Sequence, residues 1–166
     1  MKNRARLSLR VPAPPTRPGD VPDFSGVKLS GAGEVERPDI DASPRDMSDL
    51  AFKLIRVLDD KGQALGAWNP KLDAETLRRA LRHMILTRAY DDRMYRAQRQ
   101  GKTSFYMKCT GEEAVAIAAA YAMDRDDMCF PSYRQQGLLI ARGYPLVQMM
   151  NQVYSNARDP LKGRQL

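Results

Sequence analysis

The sequence has few residues that could bind metals or form disulfides. It contains two cysteines, Cys109 and Cys129, and one histidine, His83. The cysteines lie far apart and form no CxxC motif, so the sequence indicates neither a disulfide framework nor a zinc site. We expect both to be small apolar residues. Because His83 has no second histidine or cysteine nearby, we expect it to be structural rather than a ligand or a base.

Long hydrophobic runs are also missing. The longest small-apolar stretch, AVAIAAAYAM (114–123), is too short to span a membrane. The opening residues MKNRARLSLRVPAPP are basic, but they lack the apolar core of a secretory signal, and their prolines would break a transit-peptide helix. The shares of hydrophobic residues, 43%, and charged residues, 28%, are typical of a globular protein, and we expect a cytoplasmic location.

Acidic residues are too few to balance the basic ones, which gives a formal net charge of +7. This charge is compatible with a nucleic acid partner and equally with an anionic cofactor or an acidic subunit. A basic helical module that binds nucleic acid or another subunit without catalysis is therefore the alternative function. Against it, the sequence has no recognition motif and only 7% aromatic residues. We expect the arginines of the main basic helix to be solvated or salt-bridged: Arg78, Arg79, Arg82, Arg88, Arg93, Arg96 and Arg99.

Proline and glycine divide the chain into three predicted segments. Seven of the eleven prolines precede residue 45, so residues 1–45 are predicted to form an extended or irregular arm, in which LSLRV (7–11) could add an edge strand to a sheet. Residues 46–70 are predicted to form a hairpin or turn segment, because Asp-Asp-Lys-Gly lies between two short apolar stretches within 54–68. Two structures stay open there: a small hairpin, and a helix end followed by a turn. Residues 71–166 are predicted to be mainly helical.

A long helix is predicted from Asp73, its N-cap, to about Gln100, with Glu75 in its first turn and Gly101 as its stop. The apolar positions drift around the helix, which predicts burial against more than one neighbour. They are Leu77, Leu81, Met84, Leu86, Tyr90, Met94 and Ala97.

Two shorter helices are predicted further along the chain. Thr110 and Glu113 form a T-x-x-E capping box before an alanine-rich helix suited to close packing. Glu112 and Glu113 are expected to be caps and partners of the helix dipole rather than an acid/base pair. Pro145 is predicted to occupy the first position of the last helix.

The stretch MCFPSYRQQG combines a candidate strand at 128–130 with a candidate helix start. Ser132 and Gln135 match an S-x-x-Q capping box, which predicts Tyr133 and Arg134 in the first helical turn. Backbone N–H groups are free there, and an arginine fork and a tyrosine hydroxyl suit phosphate oxygens. Two interpretations stay open on the residues alone: a capped helix with a solvated arginine, and an anion site.

Several stretches in order resemble one protein family. They are QRQGKTSFYM, TGEEA, DMCFPSYRQQG and DPLKGRQ, and the resemblance extends into the arm at RLSLRVPAPPTRPG. The family is the alpha subunit of the thiamine-diphosphate-dependent decarboxylating component of 2-oxo acid dehydrogenase complexes, in its bacterial branched-chain type. Met107 stands where pyruvate-specific relatives have a histidine, which favours the branched-chain type.

The resemblance implies an α/β thiamine-diphosphate-binding fold in the parent family, of which this segment supplies mostly helices and a candidate first sheet strand. It implies a heterotetramer with beta subunits, which bind the cofactor together with the alpha subunits. The expected reaction is oxidative decarboxylation of branched-chain 2-oxo acids such as 3-methyl-2-oxobutanoate, with acyl transfer to lipoyl-lysine on a core acyltransferase. The expected cofactors are thiamine diphosphate and Mg²⁺.

Residue by residue, the resemblance implies that Tyr133 and Arg134 contact the diphosphate end of the cofactor. Ser132 and Phe105 are weaker candidates for the same pocket. No catalytic residue and no metal ligand is implied within the chain, because the family's Gly-Asp-Gly motif is absent and Gly19-Asp20 is the only Gly-Asp. We therefore expect an N-terminal portion of such a subunit, marginally stable alone, that neither binds cofactor tightly nor turns over substrate.

Overall fold

The computed structural model describes residues 19–21, 23, 25, 26 and 29–164. The chain divides into two compact units, Met1–Pro70 and Lys71–Leu166. The edge strand predicted at 7–11 lies outside the described residues. None of the helices in the described part of the chain is both long and apolar enough to cross a membrane.

The first unit contains a short 3-10 helix, Ser48–Phe52, and the predicted hairpin turn. Leu58 and Ala64 form an isolated antiparallel bridge. Between them, the Asp59 carboxylate accepts hydrogen bonds from the backbone N–H groups of the second and fourth residues after it, at 2.9 and 2.7 Å. These bonds hold the turn closed, so the small hairpin predicted within 54–68 is confirmed.

The described part of the arm packs against this hairpin through two glycines. Gly33 and Gly66 have φ angles of 76° and 81°, and a Cβ on Gly66 would meet the Gly33 Cα at 2.4 Å. Only glycine permits both this conformation and this approach. Val35 is buried beside them, and the Trp68 indole donates a hydrogen bond to the Glu36 carbonyl at 3.3 Å.

The second unit begins with α1, Ala74–Arg99. The Asp73 carboxylate accepts a hydrogen bond from the Thr76 backbone N–H at 2.7 Å, and this bond lowers the pKa of Asp73. Gly101 has a φ angle of 69° directly after the helix. Both predicted limits of the helix are therefore confirmed, because each depends on residues next to each other in the sequence.

Three shorter helices follow: α2 (Glu113–Ala122), α3 (Gln136–Ala141) and α4 (Leu146–Val153). Helices α1, α2 and α3 contact one another pairwise. One buried cluster joins the second half of α1 to α3 and α4, through Tyr90, Met94, Ile140 and Met149. A second cluster joins α2 to α3, through Ala116, Ala120 and Leu138.

Gly137 lets α3 approach its two neighbours closely. A Cβ at this position would lie 3.2 Å from the Ala116 Cβ and 3.5 Å from the Thr87 Oγ1. The close packing predicted for the alanine-rich helix is confirmed at this contact.

The strand predicted at 128–130 is not formed. In the part of the chain that the structure describes, the only β pairing is the bridge between Leu58 and Ala64. Met128 and Phe130 are 80% and 89% exposed. A strand exists through hydrogen bonds to a neighbouring strand, and the described chain provides no neighbour here. The α/β fold of the parent family therefore stays a prediction.

Two predicted helix starts are shifted. The Glu113 carboxylate accepts from the Gly111 backbone N–H rather than from Thr110, and α2 begins at Glu113. A turn between Cys109 and Glu112 takes up the residues that the capping box would have placed in the helix. Pro145 is the N-cap of α4, with ψ at 127°, rather than its first helical residue.

Candidate functional site

The predicted site residues Tyr133 and Arg134 lie in a turn before α3 and not in its first helical turn, so that prediction is wrong. The Ser132 backbone N–H donates to the Gln135 Oε1 at 2.6 Å, as in a capping box. The Gln135 backbone N–H, however, donates to the Ser132 carbonyl at 3.1 Å and closes a four-residue turn. The helix starts only after this turn, at Gln136.

Phe105, Ser132 and Tyr133 line one cavity of about 110 Å³ in the second unit. The rings of Phe105 and Tyr133 meet edge to face, with centroids 5.8 Å apart. Both side chains are about half exposed, so they stand at the mouth of the cavity. Other residues of its wall include Tyr90, Ser104, Tyr106, Met107, Gln136 and Met149.

Arg134 lies outside this cavity. Its guanidinium lines a neighbouring groove with Glu112, and the Nη1 and Oε1 atoms of the pair are 3.3 Å apart. Its Cζ is also 6.0 Å from the centroid of the Tyr133 ring. The structure therefore brings three of the four predicted site residues together and places the fourth beside them.

A buried chain of hydrogen bonds supports the cavity, and the sequence analysis missed it. Gln136 Nε2 donates to the Tyr106 hydroxyl at 3.2 Å and to the Met107 carbonyl at 3.3 Å. The Tyr106 hydroxyl donates to Asp91 Oδ1 at 2.6 Å. Asp91 Oδ2 accepts from the Cys109 backbone N–H at 2.7 Å. Loop 104–109 is thereby held by α1 on one side and by α3 on the other.

One sequence signal could have pointed to this network. Asp91 falls on the same helix face as the buried residues Thr87, Tyr90 and Met94, and it is only 1% exposed. A carboxylate on a buried stripe needs donors from another segment. The sequence does not say that Tyr106 would be the donor, because that contact depends on how the loop folds back.

Burial changes the acidity of two groups next to Asp91. The pKa of the Tyr106 phenol is raised, first by burial and then by its bond to the carboxylate. Burial also raises the pKa of the Cys109 thiol to about 12, and the carboxylate adds to the effect. At neutral pH Cys109 is a protonated, unreactive thiol, in agreement with the expectation of a small apolar residue.

Glu113 is a structural carboxylate. Arg88 donates to its Oε1 through Nε at 2.8 Å and through Nη2 at 2.6 Å, and Gly111 donates to its Oε2. Burial opposes ionisation of Glu113, but the backbone N–H groups and Arg88 outweigh it, so its pKa lies below the ordinary value. The expectation that Glu112 and Glu113 are not an acid/base pair is consistent with this, since each is paired with its own arginine.

His83 and the acidic residues form no metal site in the described part of the chain, where no cluster of three or more His, Cys, Asp or Glu side chains occurs. His83 Nδ1 lies 3.1 Å from the Tyr121 hydroxyl. Burial lowers the pKa of His83, and the charges of Arg79 and Arg82 lower it further. This arrangement is that of a half-buried structural histidine.

Comparison with known proteins gives the family of the chain. Residues 81–166, more than half of the sequence, match the family described as dehydrogenase E1 component. The chain belongs to this family, whose members depend on thiamine diphosphate. Residues 5–45 match a second description, 2-oxoisovalerate dehydrogenase E1 alpha subunit N terminal. The resemblance drawn from the sequence motifs is confirmed.

Individual relatives agree with this assignment. The chain is 57% identical over all its 166 residues to the 2-oxoisovalerate dehydrogenase subunit alpha of Pseudomonas aeruginosa, of which it covers 40%. It is 36% identical over 148 residues, 89% of the chain, to the mitochondrial subunit alpha of Mus musculus, of which it covers 32%. The human mitochondrial subunit alpha is 40% identical over 114 residues, 68% of the chain and 26% of that protein. The chain thus spans two fifths or less of these relatives.

Proposed function

We propose that the chain is part of the alpha subunit of a branched-chain 2-oxo acid dehydrogenase and that its turn before α3 holds the diphosphate end of thiamine diphosphate. The observation that carries this is the grouping of Phe105, Ser132 and Tyr133 around one cavity, with Arg134 next to it. Residues 71–166 would then be the opening helices of the cofactor-binding domain.

The chemistry of the cavity mouth fits an anionic tail. Ser104, Ser132 and Tyr133 are among the residues that line it, and the hydroxyl group of each can donate to a phosphate oxygen. Among the described residues, the hydrogen-bond partner of the Tyr133 hydroxyl is the Met107 sulfur at 3.9 Å, which is a weak acceptor. Tyr133 can therefore turn its hydroxyl to a ligand without losing a strong hydrogen bond.

Arg134 supplies the positive charge that the cavity wall lacks. Its ion pair with Glu112 is long, and the two side chains are 45% and 49% exposed. Exposed pairs of this kind contribute little to stability, about 0 to 1 kcal/mol. A guanidinium beside Tyr133 can therefore leave Glu112 and bind a phosphate through two parallel N–H donors.

In this proposal the residues of the chain bind and orient, and the cofactor does the chemistry. When bound, thiamine diphosphate supplies the nucleophilic carbon for decarboxylation of the 2-oxo acid. Tyr133 and Arg134 would hold the tail and thereby orient the bound cofactor. The described residues offer no cluster for Mg²⁺, so its ligands would come from elsewhere in the subunit.

The proposed partners follow from the same assignment. A beta subunit would complete the cofactor site in a heterotetramer, and a lipoyl-bearing core acyltransferase would accept the acyl group from branched-chain 2-oxo acids. A cytoplasmic location is part of this proposal. Family membership favours the dehydrogenase function over the nucleic-acid alternative. In addition, Arg88 of the basic helix is already paired with Glu113.

A cofactor titration tests the proposal. The complete alpha chain, co-expressed with its beta subunit, is assayed for 2-oxo acid oxidation at increasing thiamine diphosphate. Arg134→Ala removes a charge-assisted pair, so we expect the apparent KM for the cofactor to rise about 10- to 100-fold. Arg125→Ala is the matched control, because Arg125 is an exposed arginine of the same unit and is not among the residues that line the cavity.

Two outcomes would overturn the proposal. One is an Arg134→Ala enzyme with the cofactor dependence of the wild type. The other is an equal rise in both variants, which would show a general effect of charge. A salt-dependent shift of a DNA or RNA probe at physiological ionic strength would instead favour the nucleic-acid alternative.

A further inference from the structure

Gln136 stands at the junction of the two segments that carry the walls of the cavity. It is the first residue of α3, directly after the turn with Tyr133, and it is 6% exposed. Its side chain reaches across to loop 104–109, where it donates to Met107 and Tyr106. No motif of the sequence singles it out, and the resemblance assigns it no role.

The orientation of the Gln136 amide is fixed by its partners. The buried carboxylate of Asp91 can only accept, so the Tyr106 proton points to Asp91 and the Tyr106 oxygen is left as an acceptor. The Met107 carbonyl is also an acceptor. Both positions therefore require the NH₂ group, and a flip of the amide would place Oε1 against two acceptors.

The other amide atom, Oε1, is buried and has no hydrogen-bond partner among the described residues. An unpartnered acceptor offers nothing to a phosphate oxygen. The contribution of Gln136 to an anion site must therefore come through its Nε2 atom and the loop that this atom holds. That loop carries Phe105, whose ring packs on Tyr133, and Met107, whose sulfur lies next to the Tyr133 hydroxyl.

We propose that Gln136 is a positioning residue of the diphosphate site. Its Nε2 atom ties loop 104–109 to the turn that carries Tyr133, and the bond between Asp91 and Tyr106 keeps the amide in the orientation that this requires. The spacing between Phe105 and Tyr133, and with it the width of the cavity mouth, is set by this link. The inference rests on the function proposed above.

The first test is the binding of thiamine diphosphate to the complete alpha chain with its beta subunit, measured by calorimetry. Gln136→Met keeps the length of the side chain and removes both donors. We expect a Kd about 3- to 10-fold higher, with kcat at saturating cofactor within about 2-fold of the wild type. Gln148→Met, the same change on the exposed face of α4, is the control.

A purely structural role would give a different result. It would lower the fraction of active protein, which calorimetry reports as stoichiometry, and leave the Kd of the remaining sites unchanged. That outcome overturns the proposal. If Gln136→Met does not fold, Tyr106→Phe carries the test, since it removes the hydroxyl that orients the amide while preserving the ring. An unchanged Kd in Tyr106→Phe would contradict the proposal.

A double variant tests the link between Gln136 and Tyr106. Because Tyr106 acts through Gln136, Gln136→Met with Tyr106→Phe should raise the Kd no more than the stronger single variant does. If the Kd increases of the two single variants multiply in the double variant, Gln136 and Tyr106 act independently, and the proposal is overturned.

A second readout separates this inference from the proposed function. Hydrogen exchange of the peptide spanning 104–108 is measured in the cofactor-free complex, where Gln136→Met should increase exchange and Gln148→Met should not. Unchanged exchange overturns the positioning role even if cofactor binds. If the wild type shows no binding, the proposed function fails, and the exchange result still decides whether Gln136 holds the loop.

Discussion

Arg134 and Glu112 form an ion pair of 3.3 Å in the groove next to the cavity, and the same guanidinium lies 6.0 Å from the Tyr133 ring. In this one position, the Arg134 side chain contacts both Glu112 and the face of Tyr133. A carboxylate competes with a phosphate for the same fork of donors. If the turn binds a diphosphate as proposed, Glu112 would act as a placeholder for that anion.

Glu112→Gln tests the placeholder role. Because the pair is exposed, we expect the free energy of unfolding to change by less than about 1 kcal/mol. The Kd of the complete alpha and beta complex for thiamine diphosphate should stay the same or fall by about 2- to 3-fold, since a competing anion is removed. Calorimetry measures both quantities. A tenfold weaker binding would instead mean that Glu112 holds Arg134 in its working position.

Glu113→Gln tests the buried carboxylate that fixes the start of α2. Glu113 accepts three hydrogen bonds, two of them from Arg88, and its side chain is 4% exposed. We expect a loss of about 2 kcal/mol in the free energy of unfolding at pH 7, measured with urea. Glu75→Gln, an exposed first-turn carboxylate of α1, is the control.

The effect of Glu113 should depend on pH in one direction. Its folded-state pKa lies below the ordinary value of 4.5, so its stabilisation is fully present above that value. The stabilisation is lost as the pH falls through the folded-state pKa. The difference between wild type and Glu113→Gln should therefore shrink when urea unfolding is repeated at acid pH. A difference that is constant between pH 7 and pH 3 would contradict this account.

The limits of α1 could be predicted from the sequence because they are local. Asp73 caps a backbone group three residues away, and Gly101 adopts its positive φ without help from other segments. The helix starts at Glu113 and Gln136 are less local. In each case the capping-box residues are present, but a turn closes first and the helix begins later.

The missing strand and the missed network have a common cause. A strand at 128–130 needs a neighbouring strand, and the bond between Asp91 and Tyr106 needs a loop that folds back onto α1. Both depend on contacts between distant parts of the chain.

The family resemblance associates Phe105 and Ser132 with Tyr133, and the structure places all three on one cavity. Their role toward the cofactor stays a prediction.

Gly137→Val tests the close packing of α3 against α1 and α2. The added side chain would meet Ala116 and Thr87, where a Cβ alone already lies 3.2 and 3.5 Å from them. We expect a loss of about 1 to 3 kcal/mol in the free energy of unfolding, from overpacking. Ala118→Val, on an exposed position of α2, should cost less than about 1 kcal/mol. Equal effects in the two variants would argue against close packing at Gly137.

The most direct test of the diphosphate site compares two ligands on one substitution. Thiamine diphosphate and thiamine share their rings and differ in the anionic tail. Substitution of a residue that holds the tail should therefore weaken the binding of thiamine diphosphate and leave the binding of thiamine unchanged. The Kd values of both are measured by calorimetry on the complete alpha and beta complex with and without Arg134→Ala. We expect Arg134→Ala to weaken the binding of thiamine diphosphate about 10- to 100-fold and to change the Kd for thiamine by less than about 2-fold. An equal loss for the two ligands would contradict the proposed diphosphate site.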